Sequence, residues 1–162
     1  MKISVKCLEK LNACQVGIDW FERNFGTKKY TIEELLEIVK EKNIIPDYRD
    51  VQWFIRNCEI AQTQFMIDYY LSLNPYFKNV SWLIINFKFA QTQQMIDYYL
   101  SLNPDYRDIR WFIIECEFAQ TQSMIDYYIS LNPDYEDVRF FINWCDFARN
   151  NKKLNKYLEK IK

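Results

Sequence analysis

A chain of 162 residues that is 18% aromatic and 49% hydrophobic has enough apolar surface to offset its chain entropy, which excludes disorder. Its two glycines and four prolines are too few for the closely spaced tight turns of an all-β fold. Lys and Arg number 21 against 22 Asp and Glu, a net charge of −1, so no overall field draws phosphate or imitates it.

The first 45 residues contain no repeat. Residues 3–11 predict a short helix, and the mixing of Lys2, Lys6, Glu9 and Lys10 into its apolar pattern predicts no secretory leader. Residues 14–25 predict an amphipathic helix with Ile18, Phe21 and Phe25 on one face, closed by Gly26. Thr31-Ile32-Glu33-Glu34 reads as a capping box opening a helix that carries Leu35, Ile38 and Val39. The segment is expected to cover the open edge of the array that follows. Its stretch Ala13-Cys14-Gln15-Val16-Gly17-Ile18-Asp19-Trp20-Phe21-Glu22-Arg23-Asn24-Phe25-Gly26 resembles a motif near the start of small bacterial and phage proteins. That resemblance covers residues 1–45 only. It implies a prophage or mobile-element origin and carries no activity or site residue with it.

From residue 46 the chain repeats. Pro46, Pro75, Pro104 and Pro133 stand 29 residues apart and open four units, 46–74, 75–103, 104–132 and 133–162. The fourth keeps the first half of the pattern and then diverges, as a terminal cap does. Within the third unit Asp108 is the expected N-cap, matched by Asp50, Asn79 and Asp137. Ile109, Phe112, Ile113 and Cys116 then form one helical face, which Trp111 and Ile114 widen into the packing against the adjacent unit. Thr121 is expected to cap a second helix carrying Met124, Ile125, Tyr128 and Ile129, ended at Leu131-Asn132-Pro133. The apolar stripe changes phase near Glu117-Phe118, which favours two short helices over one bent helix. The predicted architecture is therefore all-α, a solenoid of four 29-residue helix hairpins with a helical N-terminal cap. It resembles helix-hairpin solenoids in general, being shorter than a tetratricopeptide or ankyrin unit and lacking the signatures of both.

The chemistry that these residues exclude is broad. Without a histidine the commonest general base and metal ligand are both missing, and a cysteine nucleophile has no imidazole partner. Cys58, Cys116 and Cys145 share a repeat position with Phe87, which marks a core slot; Cys7 and Cys14, seven apart, are expected to share a buried face. The five cysteines include no CxxC pair, which points to reduced thiols in a cytoplasm and away from zinc. Two isolated glycines form no phosphate-cradling loop, and no run reaches the 18 apolar residues or so that a membrane span needs. The chain is expected to be non-catalytic, with no cofactor, no metal and no membrane contact.

Three polar positions recur unchanged on the second helices: Gln64, Gln93 and Gln122; Asp68, Asp97 and Asp126; and Tyr69, Tyr98 and Tyr127. Core packing does not require them, and a ladder of exposed tyrosines beside amides is good contact material for a protein partner. Recent duplication without drift, or hydrogen bonding between neighbouring units, accounts for the same pattern. A single-stranded RNA or other nucleic-acid reader is the rival class, using these tyrosines with Arg49, Arg107 and Arg110, but acids cancel the bases within each unit. The basic tail from Arg149 carries an apolar stripe of Leu154, Tyr157, Leu158 and Ile161, which predicts a capping helix with a solvated outer face. The expectation is a protein-interaction module; joined to the phage resemblance, it becomes an inhibitor that occludes a host defence protein.

Overall fold

Three of the four repeats open with the same physical device. In Asp105, Asp134 and Asp47 the side-chain oxygen accepts backbone N–H groups of the following turn, which starts the helices Tyr106–Glu115, Tyr135–Trp144 and Tyr48–Asn57. The N-cap thus lies one turn earlier than expected. Asp50, Asn79, Asp108 and Asp137 sit at the third helical position, another place where the helix dipole favours acid. Tyr76 replaces the aspartate in the second repeat, and that helix starts without a side-chain cap.

The computed structural model describes residues 2–162. In chain order the helices are α1 (Val5–Lys10), α2 (Gln15–Phe25), α3 (Ile32–Glu41), α4 (Tyr48–Asn57), α5 (Gln64–Ser72), α6 (Phe77–Asn86), α7 (Gln93–Ser101), α8 (Tyr106–Glu115), α9 (Gln122–Ser130), α10 (Tyr135–Trp144), α11 (Asp146–Arg149) and α12 (Lys152–Ile161). Short 3-10 turns fill Glu59–Ala61, Lys88–Ala90 and Glu117–Ala119. Among the described residues the β contact is one isolated antiparallel bridge, Ile3 with Tyr30. The chain is all-α, a series of helix hairpins. No described helix is long and apolar enough to cross a membrane.

The break inside each hairpin is sharp. Cys116 turns to φ −124° and ψ 104°, ending α8, and Thr121 then caps α9 by accepting from the Met124 N–H at 3.3 Å. Thr63 and Thr92 do the same for Met66 and Met95. Two helices form, not one bent helix. Between units the chain turns on Asn74, Asn103 and Asn132, each with φ of 51–53°, a left-handed conformation that asparagine tolerates better than other residues with a Cβ. Asn12 and Asn43 end α1 and α3 in the same way. There the next residue also donates back into the helix, Ala13 N–H to the Leu8 carbonyl and Ile44 N–H to that of Val39. After Asn103 and Asn132 the next residue is proline, which has no N–H to give.

By compactness the chain divides into a first unit, residues 1–75, and a second unit, residues 76–162, so the first hairpin groups with the N-terminal segment. In this first unit Thr31 and Glu34 form the reciprocal capping box, at 3.2 and 2.7 Å. Phe21 and Phe25 pack at 4.9 Å between centroids, and Tyr30 donates to the Phe25 carbonyl at 2.5 Å. Gly26 closes α2 at φ +75°. Cys7 and Cys14 do not share a buried face: Cys14 is exposed at the start of α2 and Cys7 is half-buried on α1. The residues between them turn through the left-handed Asn12, so the spacing of seven never lies on one helix.

In the second unit α6, α8 and α10 pack side by side, and each hairpin is locked to the next by a ring pair. Tyr99 of α7 meets Phe112 of α8 at 4.7 Å, and Tyr128 of α9 meets Phe141 of α10 at 5.1 Å. All four rings are buried, as are Ile109, Ile113 and Ile125. Burial also pushes the thiols of Cys58 and Cys116 up, as a core slot requires. The basic tail is a capping helix: α12 lies on α9 and α10 with Leu154 buried and its lysines outside.

Trp111 departs from expectation. It is 45% exposed and meets the adjacent hairpin in an edge contact to Phe140 at 5.6 Å. We expect Phe112→Ala to cost about 3–5 kcal/mol in urea denaturation and Trp111→Ala less than about 2 kcal/mol. The Tyr128 hydroxyl is buried without a hydrogen-bond partner, so Tyr128→Phe should hold or raise the melting temperature, because an unsatisfied buried hydroxyl costs about 1–3 kcal/mol. A fall of several degrees would show that the hydroxyl has a partner in solution.

Candidate interaction surfaces

The repeated Gln-Thr-Gln stretch has a local structural task at each position. The first glutamine reaches back to the first helix: Gln62, Gln91 and Gln120 donate to the carbonyls of Ile55, Ile84 and Ile113 at 3.3, 3.2 and 3.3 Å. These are helix-end carbonyls that lack intrahelical partners. The threonine caps the second helix. The second glutamine donates to the aspartate four residues on: Gln64 to Asp68 at 2.9 Å, Gln93 to Asp97 at 2.8 Å and Gln122 to Asp126 at 2.7 Å. Ser72, Ser101 and Ser130 close the other end, each donating at 2.6 Å to the carbonyl of Tyr69, Tyr98 or Tyr127.

The nine expected contact residues therefore lie together in threes on α5, α7 and α9, with each glutamine amide already paired to its aspartate within the helix. The tyrosines are half-buried, not exposed, and burial raises the phenols of Tyr69 and Tyr98. The third rung is also occupied by the tail. Lys153 Nζ lies 2.8 Å from Asp126, and Asn151 donates to Gln122 at 3.0 Å while its own oxygen caps α12. Lys153, followed by Gln122, holds the Asp126 carboxyl below the usual carboxylate range.

Exposed rings occur singly on α5 (Phe65), before α6 (Tyr76) and in a 3-10 turn (Phe118), and Trp111 and Trp144 lie exposed on the first helices. Trp53, Trp82, Trp111 and Phe140 occupy one repeat position. In the second unit Trp111, Phe140 and Trp144 form a continuous aromatic strip. Trp111 meets Phe140 edge-on at 5.6 Å, and Phe140 stacks on Trp144 at 5.6 Å with the planes 22° apart. Trp144 is 67% exposed. Under the strip, Arg110 is only 8% exposed; its guanidinium lies 4.4 Å from the Phe140 centroid and 5.7 Å from that of Trp111. Arg110 is paired with Asp137, which Arg107 also approaches at 3.7 Å. The sequence carried a signal for this strip in the ring repeated every 29 residues, but hydrophobicity alone assigned it to the core.

No family model matches the chain, and no curated protein or solved structure matches it either.

Three outcomes follow from the charge pairs. Lys153→Ala should move the Asp126 carboxyl up in an NMR titration, and no movement would separate the tail from the third rung. Asp137→Ala leaves a buried guanidinium without its counter-ion and should cost about 3–5 kcal/mol by denaturant unfolding. Asp108→Ala should cost less than about 1 kcal/mol, because its partner Lys78 is exposed and 3.9 Å away.

Proposed function

We propose that this chain is a non-catalytic partner-binding module whose contact surface is the aromatic strip Trp111–Phe140–Trp144 of the second unit. The observation that carries the reading is the exposure of that strip. Large rings left in water with no covering element are costly on a monomer and are enriched where proteins meet. The strip is held still by stacking and by Arg110, so little side-chain entropy is lost on docking. Tryptophan and arginine are also the residues that dominate binding energy at protein interfaces.

The Tyr69, Tyr98 and Tyr127 face is the weaker candidate, since its glutamines and aspartates satisfy one another and its tyrosines are half-buried. The partner is a protein. Arg107, Arg110, Arg139 and Lys78 around the strip lie against Asp137, Glu136 and Asp108, so they offer no unmatched row of cations to a phosphate backbone. The resemblance of residues 13–26 to small bacterial and phage proteins supports a mobile-element inhibitor in the host cytoplasm, acting by occlusion.

The test is affinity capture from source-cell lysate with three baits, with and without nuclease: the native chain, Trp111→Ala/Trp144→Ala, and Tyr98→Ala/Tyr127→Ala. A stoichiometric protein retained by the native chain and the tyrosine variant, and reduced at least about tenfold by the tryptophan variant, is the expected result. Loss only in the tyrosine variant would move the contact to the second helices. A nuclease-sensitive set would replace the protein partner by nucleic acid stacked on the same rings.

A further inference from the structure

The aspartate at the third position of each first helix is answered by a cation from the hairpin before it, except in the first hairpin. Asp108 faces Lys78 at 3.9 Å, and Asp137 faces Arg107 at 3.7 Å; both cations stand thirty residues earlier in the chain. Thirty residues before Asp50 stands Trp20, a ring in place of a cation. Asp50 makes no ion pair among the described residues. Its neighbour Arg49 is already claimed by Asp47, in contacts of 2.7 and 3.0 Å.

Asp50 lies at the margin of a cleft of about 450 Å³ inside the first unit, between the N-terminal helices and the first hairpin. That volume is in the range of sites that enclose small organic molecules. Its lining includes Trp20, Phe21, Trp53 and Phe54, together with Val16, which is 78% exposed. Apart from Arg49 and Asp50, its lining residues carry no charge. An acidic ligand would meet the Asp50 carboxylate and find the only nearby guanidinium taken. Desolvation, followed by Asp47, pushes the Asp50 carboxyl up, so a cation beside it would be stabilising.

We propose that this cleft is a binding site for a small organic cation with an aromatic body, the ammonium paired with Asp50 and the ring enclosed by Trp20, Trp53 and Phe54. Rings and a carboxylate together are the chemistry that selects such a cation over its neutral or acidic counterpart.

The test is isothermal titration of the full chain with tryptamine, 3-methylindole and indole-3-propionate, which share a ring and differ in charge. Tryptamine should bind at least about tenfold tighter than the acid, with the neutral ring between them. Asp50→Asn should fold normally by circular dichroism, since Asn79 occupies the same position in the second hairpin, and should abolish the preference for the amine. In the native chain the Asp50 carboxyl should titrate lower when tryptamine is bound. Equal affinity for amine and acid would overturn the proposal, as would an amine preference that survives Asp50→Asn. Absence of binding by all three at millimolar concentration would overturn it too.

Discussion

A buried tyrosine that no single hairpin can cover sets the terms for the second unit. Tyr99 ends up against Phe112 and Tyr128 against Phe141, each pair joining the second helix of one hairpin to the first helix of the next. A hairpin of 29 residues has too little interior to enclose a ring of that size, so the ring is buried only when a neighbour is present. Burial of these rings supplies the apolar driving force between hairpins. The penalty is visible at Tyr128, whose hydroxyl is carried into the core without a partner. The last hairpin is covered by α12, which packs on α9, α10 and α11.

Because the core is shared between hairpins, the polar residues of each one are left to finish its own backbone. With only two glycines in the chain, helix ends are resolved by side chains and by left-handed asparagines. Gln-Thr-Gln is a hinge in three parts: one amide for the ending helix, one hydroxyl for the starting helix, one amide for the aspartate a turn further on. This accounts for its exact recurrence without a ligand. The same local sufficiency leaves the contiguous first-helix rings Trp111, Phe140 and Trp144 as a surface with unspent contact capacity. Trp111, Phe140 and Trp144 are ordered by one another and by Arg110, yet Trp111 and Trp144 remain exposed.

Electrostatics divides the repeated positions in a way that spacing does not. Four equivalent residues, Asp50, Asn79, Asp108 and Asp137, have different surroundings. Asp137 pairs with a buried arginine, Asp108 with an exposed lysine, and Asp50 with no cation. The residue set in front of each one differs, and for Asp50 that residue set is the non-repeating N-terminal segment with its aromatic cleft. Position in an array is thus enough to turn a helix-start aspartate into a structural ion pair or into a candidate ligand group.

The 29-residue period, the all-helical class, the two-helix hairpin, the Thr31 capping box and the Thr121 cap were all legible in the sequence. They depend on short-range chemistry: a 3.6-residue stripe, a hydroxyl within three residues of an N–H, a proline that cannot follow a helical residue. The N-cap was displaced by one turn because Asp105 and Asp108 are both favoured near a helix start, and the backbone angles decide between them. Trp111 was assigned to the core because a large ring on the edge of an apolar stripe looks the same whether or not a neighbour covers it. The nine residues Gln64, Asp68, Tyr69 and their repeats were legible as a set, but their mutual bonding was not, since a recurrent polar residue looks the same whether it bonds within its own helix or to a partner. Tertiary structure decided which repeated ring stays in water and which aspartate lacks a cation, because both depend on the residue that the neighbouring element places there, and that residue is distant in the chain.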